Sequence, residues 1–168
     1  MTDYNDVYNK KFEELNVGIF SIKDVPVSEI KKHNPNTEGG FTITNFENDN
    51  ASEVIILIDS SQNVEIKLCV LFHEYGHALY HQHLGGREIN NRKAKSDEKW
   101  VIDDEYEAFK NQLIEIYKIA LAAGIEILKN MMQRLDKRRI SDNDSRYRAA
   151  LNRLYNEPIW KECMTLIS

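Results

Sequence analysis

The chain has 168 residues, 42% of them hydrophobic and 29% charged, which fits one soluble globular domain and excludes wholesale disorder. Seven Gly and three Pro exclude a collagen-like or linker-rich chain, and a formal charge of −5 argues against a general nucleic-acid coat. Two cysteines, Cys69 and Cys163, make no disulfide framework, and four of the five histidines (His73, His77, His81 and His83) crowd into residues 73–83.

The opening Met1-Thr-Asp-Tyr-Asn-Asp is acidic and lacks a basic segment followed by an apolar one, so no secretory signal is expected. No apolar run approaches the roughly 18 residues that suggest a membrane span. The expectation is a cytoplasmic protein with no membrane partner.

In chain order, Tyr4, Val7, Tyr8, Phe12 and Leu15 recur at helical spacing over about 3–15. Val17–Ile22 reads as a short strand, and Pro26 and Asn34-Pro35-Asn36 as irregular chain. Phe41–Phe46 alternates as a strand does, Glu47–Ser52 is a polar turn, and Val54–Ile58 is apolar enough to lie inside a sheet; the two strands form a hairpin. Asn63 can cap a helix that runs to about Leu84. Gly85-Gly86-Arg87 ends it, and Glu88–Lys95 reads as a polar loop able to gate a neighbouring cleft. Ser96-Asp97-Glu98 opens a long helix to about Ala123, with Gly124 as its stop. Ile125–Lys137 is a further amphipathic helix, and Ser141-x-x-Asp144 is a capping box for a last helix that should end before Pro158.

The predicted fold class is α+β: a small antiparallel sheet packed on one helix that carries the histidines, followed by a helical C-terminal half. It forms a single domain over 1–168, with an N-terminal helix and sheet over 1–62, a helical pair carrying the candidate site over 63–123 and C-terminal helices over 124–168.

His73-Glu74-Tyr75-Gly76-His77 is an H-E-x-x-H motif. Residues four apart on a helix share a face, so two imidazoles can converge on one Zn²⁺. Glu74 is turned about 100° from His73, beside the open metal position, where it can take a proton from water. A catalytic zinc takes a third protein ligand. On the long helix Ile102, Tyr106, Phe109, Leu113 and Ile116 form the apolar stripe. With Phe109 as zero, Glu105 lies at about −40°, inside the stripe, whereas Glu107 is near 160° and Asp104 near −140°. Glu105 is therefore the candidate third ligand, with an ion pair to Lys or Arg as its other reading; Ala108 is small enough to let the two helices approach closely.

His83 is the rival ligand, at the third-histidine position of H-E-x-x-H-x-x-G-x-x-H, but Tyr80 stands where that pattern has Gly, so the helix should continue and carry His83 away. His81, one turn beyond His77, reads as a supporting partner, a donor to the transition state or a surface residue. Tyr80, His81 and His83 are the candidate transition-state donors.

Three stretches resemble the ImmA/IrrE family of zinc metallopeptidases over a little under half the chain: Gly40-Phe41-Thr-Ile43, Val54–Asp59 followed by Leu71–His81, and Glu105-Tyr-Glu-Ala108. The chain departs from the family after Ala108, where it reads Phe109-Lys-Asn-Gln-Leu-Ile. The resemblance implies an α+β domain with one Zn²⁺ held by His73, His77 and Glu105, with Glu74 as base. It also implies, as in several members, cleavage of a transcriptional repressor; separately, the many Asn, Lys and Ile residues and the small size suit a phage or mobile-element protein. The expected partner is a protein or peptide substrate rather than nucleic acid. The alternative is a metal-stabilised, non-catalytic module that sequesters a regulator or host factor.

Residues 124–168 carry nine Lys/Arg and six Asp/Glu, a local +3 against −5 for the whole chain. That segment reads as a solvated helical face or a basic docking surface. Cys69 and Met131-Met132 read as core residues.

Overall fold

In the computed structural model, which describes residues 3–36 and 39–168, the chain begins with helix α1 (Tyr4–Leu15), strand β1 (Phe20–Val25) and helix α2 (Val27–His33). The hairpin β2 (Gly40–Glu47) and β3 (Asn50–Asp59) follows, then helices α3 (Val64–Leu84), α4 (Gly86–Lys95) and α5 (Asp97–Ala123). Helices α6 (Glu126–Ser141), α7 (Ser145–Tyr155) and α8 (Pro158–Ile167) form the C-terminal half. The α+β class holds. No helix is long and apolar enough to cross a membrane among the described residues.

The sheet has the order β1-β3-β2. The β2–β3 hairpin is antiparallel as expected, but β1 pairs parallel to β3, so the sheet is mixed. The central strand explains its own apolar run. Val54, Ile56 and Ile58 are fully buried in the main core, while Leu57 faces a small second cluster with Val25 and Ile30. A strand covered on both faces loses the polar half of its alternation. Ile30 belongs to α2, a helix that sequence reading left as irregular chain. Pro26 begins it, and Lys31, Lys32 and His33 suit its negative end.

Three further boundaries moved. The first strand starts at Phe20 rather than Val17, which is 60% exposed; the paired residues are those facing β3. Glu88–Lys95 is helix α4, not a loop. Gly85, at φ +80, breaks the backbone direction and the chain at once resumes as a helix, tied by an Arg92–Glu88 pair at i, i+4. Asp144 caps α7, which ends at Tyr155, before Pro158 as expected, but Ser141 closes α6 rather than opening α7, and α7 is not the last helix: α8 starts on Pro158, where a missing N–H costs nothing.

Helices α3 and α5 run antiparallel through the core. Asn111 Nδ2 donates to the Phe72 carbonyl at 2.7 Å and Gln112 Nε2 to the Cys69 carbonyl at 2.9 Å. Gly76 meets Ala108 between them: a Cβ at Gly76 would stand 2.9 Å from Ala108 Cα and 2.9 Å from Asn111 Cβ. The small residue on α5 expected to permit close approach is thus met by a glycine on α3. Gly76→Ala should destabilise the protein in urea titration, because an overpacking cost of about 1–3 kcal/mol outweighs the gain of up to about 1 kcal/mol in helix propensity.

Candidate metal centre

The helical register of α3 puts His73, His77 and His81 on one face, four residues apart. The antiparallel register of α5 brings Asp104 and Glu105 against that face. His73 Nε2 lies 3.1 Å from Glu105 Oε2, and His77 Nε2 lies 3.5 Å from Glu105 Oε1. One carboxylate thus spans both imidazoles. Asp104 Oδ1 lies 2.9 Å from His77 Nδ1 and 2.9 Å from His81 Nε2. The Asp104–His77 contact is close but out of line for a hydrogen bond, so the buried Nδ1 atoms of His73 and His77 both lack a hydrogen-bond partner.

Glu74 sits on the other side of the histidine pair. Thr42 Oγ1 lies 2.6 Å from Glu74 Oε2 and 3.0 Å from the Glu74 carbonyl, so its single proton goes to one or the other. Gly40 lies directly above Glu74: a Cβ there would come 2.5 Å from Val70 Cγ1 and 3.2 Å from Glu74 Oε1. Ligand-type atoms of His73, Glu74 and His77 fall within 4.8 Å of one another, as do those of His77, His81 and Asp104.

The donor set suits zinc. Imidazole and carboxylate are zinc-type ligands, and each Glu105 oxygen lies against one imidazole, Oε2 at 3.1 Å from His73 and Oε1 at 3.5 Å from His77, while the groups whose ligand atoms fall within 4.8 Å pair the histidines with Glu74 or Asp104. Glu105 and His77 are each 8% exposed, a costly place for a carboxylate and an imidazole without a shared partner.

Electrostatics bind the cluster together. Burial opposes charge on His77, but the carboxylates of Asp104 and Glu105 outweigh it and push its pKa up to about 10. Burial likewise works against the ionised forms of Asp104 and Glu105. His77, with His81 for Asp104 and His73 for Glu105, holds both below their ordinary values.

The remaining predicted residues divide. His81 faces the site, with Asp104 at 2.9 Å, Thr44 Oγ1 at 3.4 Å and the Trp100 ring stacked at 5.7 Å. Tyr80 and His83 do not join it. The helix continues past Tyr80 as expected, and both residues line a separate cavity on the far side of α3, where Arg92 donates to the Tyr80 hydroxyl at 2.8 Å.

Three residues that sequence reading did not single out belong to the site. Asp104 was turned away by the helical-face argument, although it stands in an acidic run facing a histidine stripe. Thr42 comes from β2. Tyr147 comes from α7, where it lines a cavity of about 540 Å³ with His73 and Glu74. Burial, then the charge of Glu105, pushes its phenol pKa well up, so it remains a hydrogen-bond donor at neutral pH.

Four of the nine Lys/Arg of the basic C-terminal segment are in ion pairs. Arg138 pairs with Asp142, Arg139 with Asp136, Arg146 with Asp144 and Arg153 with Asp103.

No protein-family model, curated protein or solved structure matches this chain.

In chelator-treated protein His77 should behave as an imidazolium. Its pKa is raised on folding, so its stabilising contribution is fully present below about pH 6.5 and fades as pH climbs toward about 10. Its ring resonances should keep their protonated shifts through pH 8, and the melting temperature should fall between those limits more steeply than that of His77→Ala.

Proposed function

We propose that this chain is a zinc-dependent endopeptidase that cuts a peptide bond in a specific protein partner, a transcriptional repressor or another regulator. One observation carries the reading. His73 and His77 turn their Nε2 atoms to one buried carboxylate, Glu105, while a second carboxylate, Glu74, is held beside them by Thr42. Two carboxylates with separate tethers suit two tasks, one holding a metal and the other moving a proton.

In this reading His73, His77 and Glu105 hold the zinc. Asp104 holds His81 at hydrogen-bond distance and lies against His77 Nδ1 as a charge partner. When bound, the ion supplies Lewis-acid polarisation of the scissile carbonyl and acidifies the attacking water toward a pKa of about 7. Glu74 takes the proton from that water and returns it to the leaving amine. Thr42 holds Oε2 and leaves Oε1 as the working acceptor, and the missing side chain at Gly40 keeps the space above Oε1 open. Tyr147, which lines the cavity with His73 and Glu74, is the residue assigned as donor to the oxygen on which negative charge develops.

The surroundings suit a peptide. Among the described residues β2 is an edge strand, and its Gly40, Phe41 and Thr42 line a cavity of about 170 Å³ with His73, Glu74, His77 and His81. An extended chain laid along that edge gains main-chain hydrogen bonds and passes over Glu74. The likeness of the motif stretches to the ImmA/IrrE peptidases points the same way.

The decisive variant is Glu74→Gln. It should retain one equivalent of zinc by elemental analysis and lose cleavage by at least about 100-fold. A non-catalytic binder would hold its partner equally well with Glu or Gln at this position and cut nothing in either form. His73→Ala, His77→Ala and Glu105→Ala should each abolish stoichiometric zinc, and a chain that takes up none on addition removes the reading altogether.

Tyr147→Phe should retain zinc and lower kcat about tenfold, with little change in KM, as expected for a donor engaged only as charge develops.

A further inference from the structure

The larger cavity runs from His73 and Glu74 along the inner face of α6 and carries three cations, Lys31, Arg134 and Arg138. They are not equivalent. Arg138 is committed: its Nε donates to Asp142 at 2.8 Å, and its guanidinium lies over the rings of Phe109 and Tyr147. Lys31 is exposed and lies near Asp59. Arg134 is half-buried, and among the described residues no carboxylate lies within 4.0 Å of it. Its one polar contact is Cys69 Sγ, at 3.5 Å. Burial pushes that thiol's pKa up to about 11, so the contact supplies no negative charge at neutral pH.

The cavity that Arg134 lines has an apolar part formed by Ile66, Val70, Met131 and Leu135. Of the three acids lining the same cavity, Glu74 is the candidate base with Oε1 free, and the other two are occupied. Asp59 accepts from the Ser61 backbone and hydroxyl and from Gln62, and Asp142 accepts from Arg138. A guanidinium stays charged at any relevant pH and offers a planar fork of donors. Set among aliphatic side chains without a counterion, it is poorly solvated and gains strongly from an incoming carboxylate, which it can bind by two parallel hydrogen bonds.

The position sets the range. Cys69 is one turn before His73 on the same helix face, about 5–6 Å along the axis. An extended peptide advances about 3.3 Å per residue, so a group at Arg134 lies about two residues from one over His73.

We infer that Arg134 determines specificity, accepting the side-chain carboxylate of an Asp or Glu about two residues from the bond that is cut. The inference rests on the peptidase reading and deepens it: the substrate segment is acidic on one side of the cut and runs along α6.

The test uses the zinc-loaded full chain and a proteome-derived peptide library, with both ends of every cut read by mass spectrometry. Asp and Glu should be enriched at one fixed position within about two residues of the cut. Arg134→Gln should lower that enrichment at least about tenfold and leave cutting of neutral peptides within about twofold. Arg134→Lys should keep most of it, and Arg134→Glu should shift it toward Lys and Arg. Zinc content and circular dichroism establish that each variant is folded. Binding gives the same comparison without turnover: Glu74→Gln protein should hold the best-cut peptide at least about tenfold more tightly than the same peptide with Gln replacing its acid. Cuts without acidic enrichment, or enrichment unchanged in Arg134→Gln, overturn the inference and leave the peptidase standing. A zinc-loaded wild-type chain that cuts nothing overturns both.

Discussion

The close approach of α3 and α5 at Gly76 and Ala108 is the constraint on which the site depends. Side chains of Asp and Glu are short, and Glu105 reaches two imidazoles at 3.1 and 3.5 Å only if the helix axes come near enough for backbone to touch backbone. The lateral contact alone would still let one helix slide along the other. Asn111 and Gln112 prevent that by donating to carbonyls of α3, Phe72 and Cys69. The resulting register sets Glu105 against His73 and His77, and Asp104 against His77 and His81. A slip of one turn would move the acids past their partners.

The sheet completes the arrangement from the opposite side. Gly40 has no side chain because Val70 and Glu74 occupy that space, and Thr42, two residues on and facing the same way, is the residue that reaches Glu74. The hairpin is itself anchored: Asp49 in its turn accepts from the Arg87 amide at the start of α4. A short helix read as a loop therefore helps fix the strand that lies over the candidate base. The site is thus built on rigid elements, with α3, α5 and β2 each contributing residues and each held by at least two others.

Charge is distributed to match. Two carboxylates and three imidazoles share the buried seam between α3 and α5, where each ionised group has a partner of opposite sign. In the C-terminal half Arg138 and Arg139 pair with acids a turn away, Arg146 with Asp144 and Arg153 with Asp103, and Arg138, Arg139 and Arg153 also lie over aromatic rings. Arg134 is half-buried in the same cavity as His73 and Glu74, and among the described residues no carboxylate lies within 4.0 Å of it.

Local periodicity made much of this legible. The fourfold spacing of His73 and His77 and the offset of Glu74 are properties of any α-helix, so the sequence alone determined that these three could meet. The apolar stripe on α5 likewise determined that Glu105 faces inward, and Tyr80 determined that the helix runs on beyond His77. Short polar helices were not legible, because α2 and α4 carry too few apolar residues to show a period and are held by tertiary contacts. Asp104 was misjudged because a helical wheel measures direction from the centre of the core, whereas the histidine stripe lies at its edge. Thr42, Tyr147 and Arg134 lie 32, 73 and 60 positions from Glu74 along the chain. No spacing rule links such distances. Only the antiparallel register of two helices, the edge position of one strand and the packing of α6 and α7 over the cleft decided that these residues share a site, because contacts between distant segments are fixed by the packing of whole elements rather than by the period of any one of them.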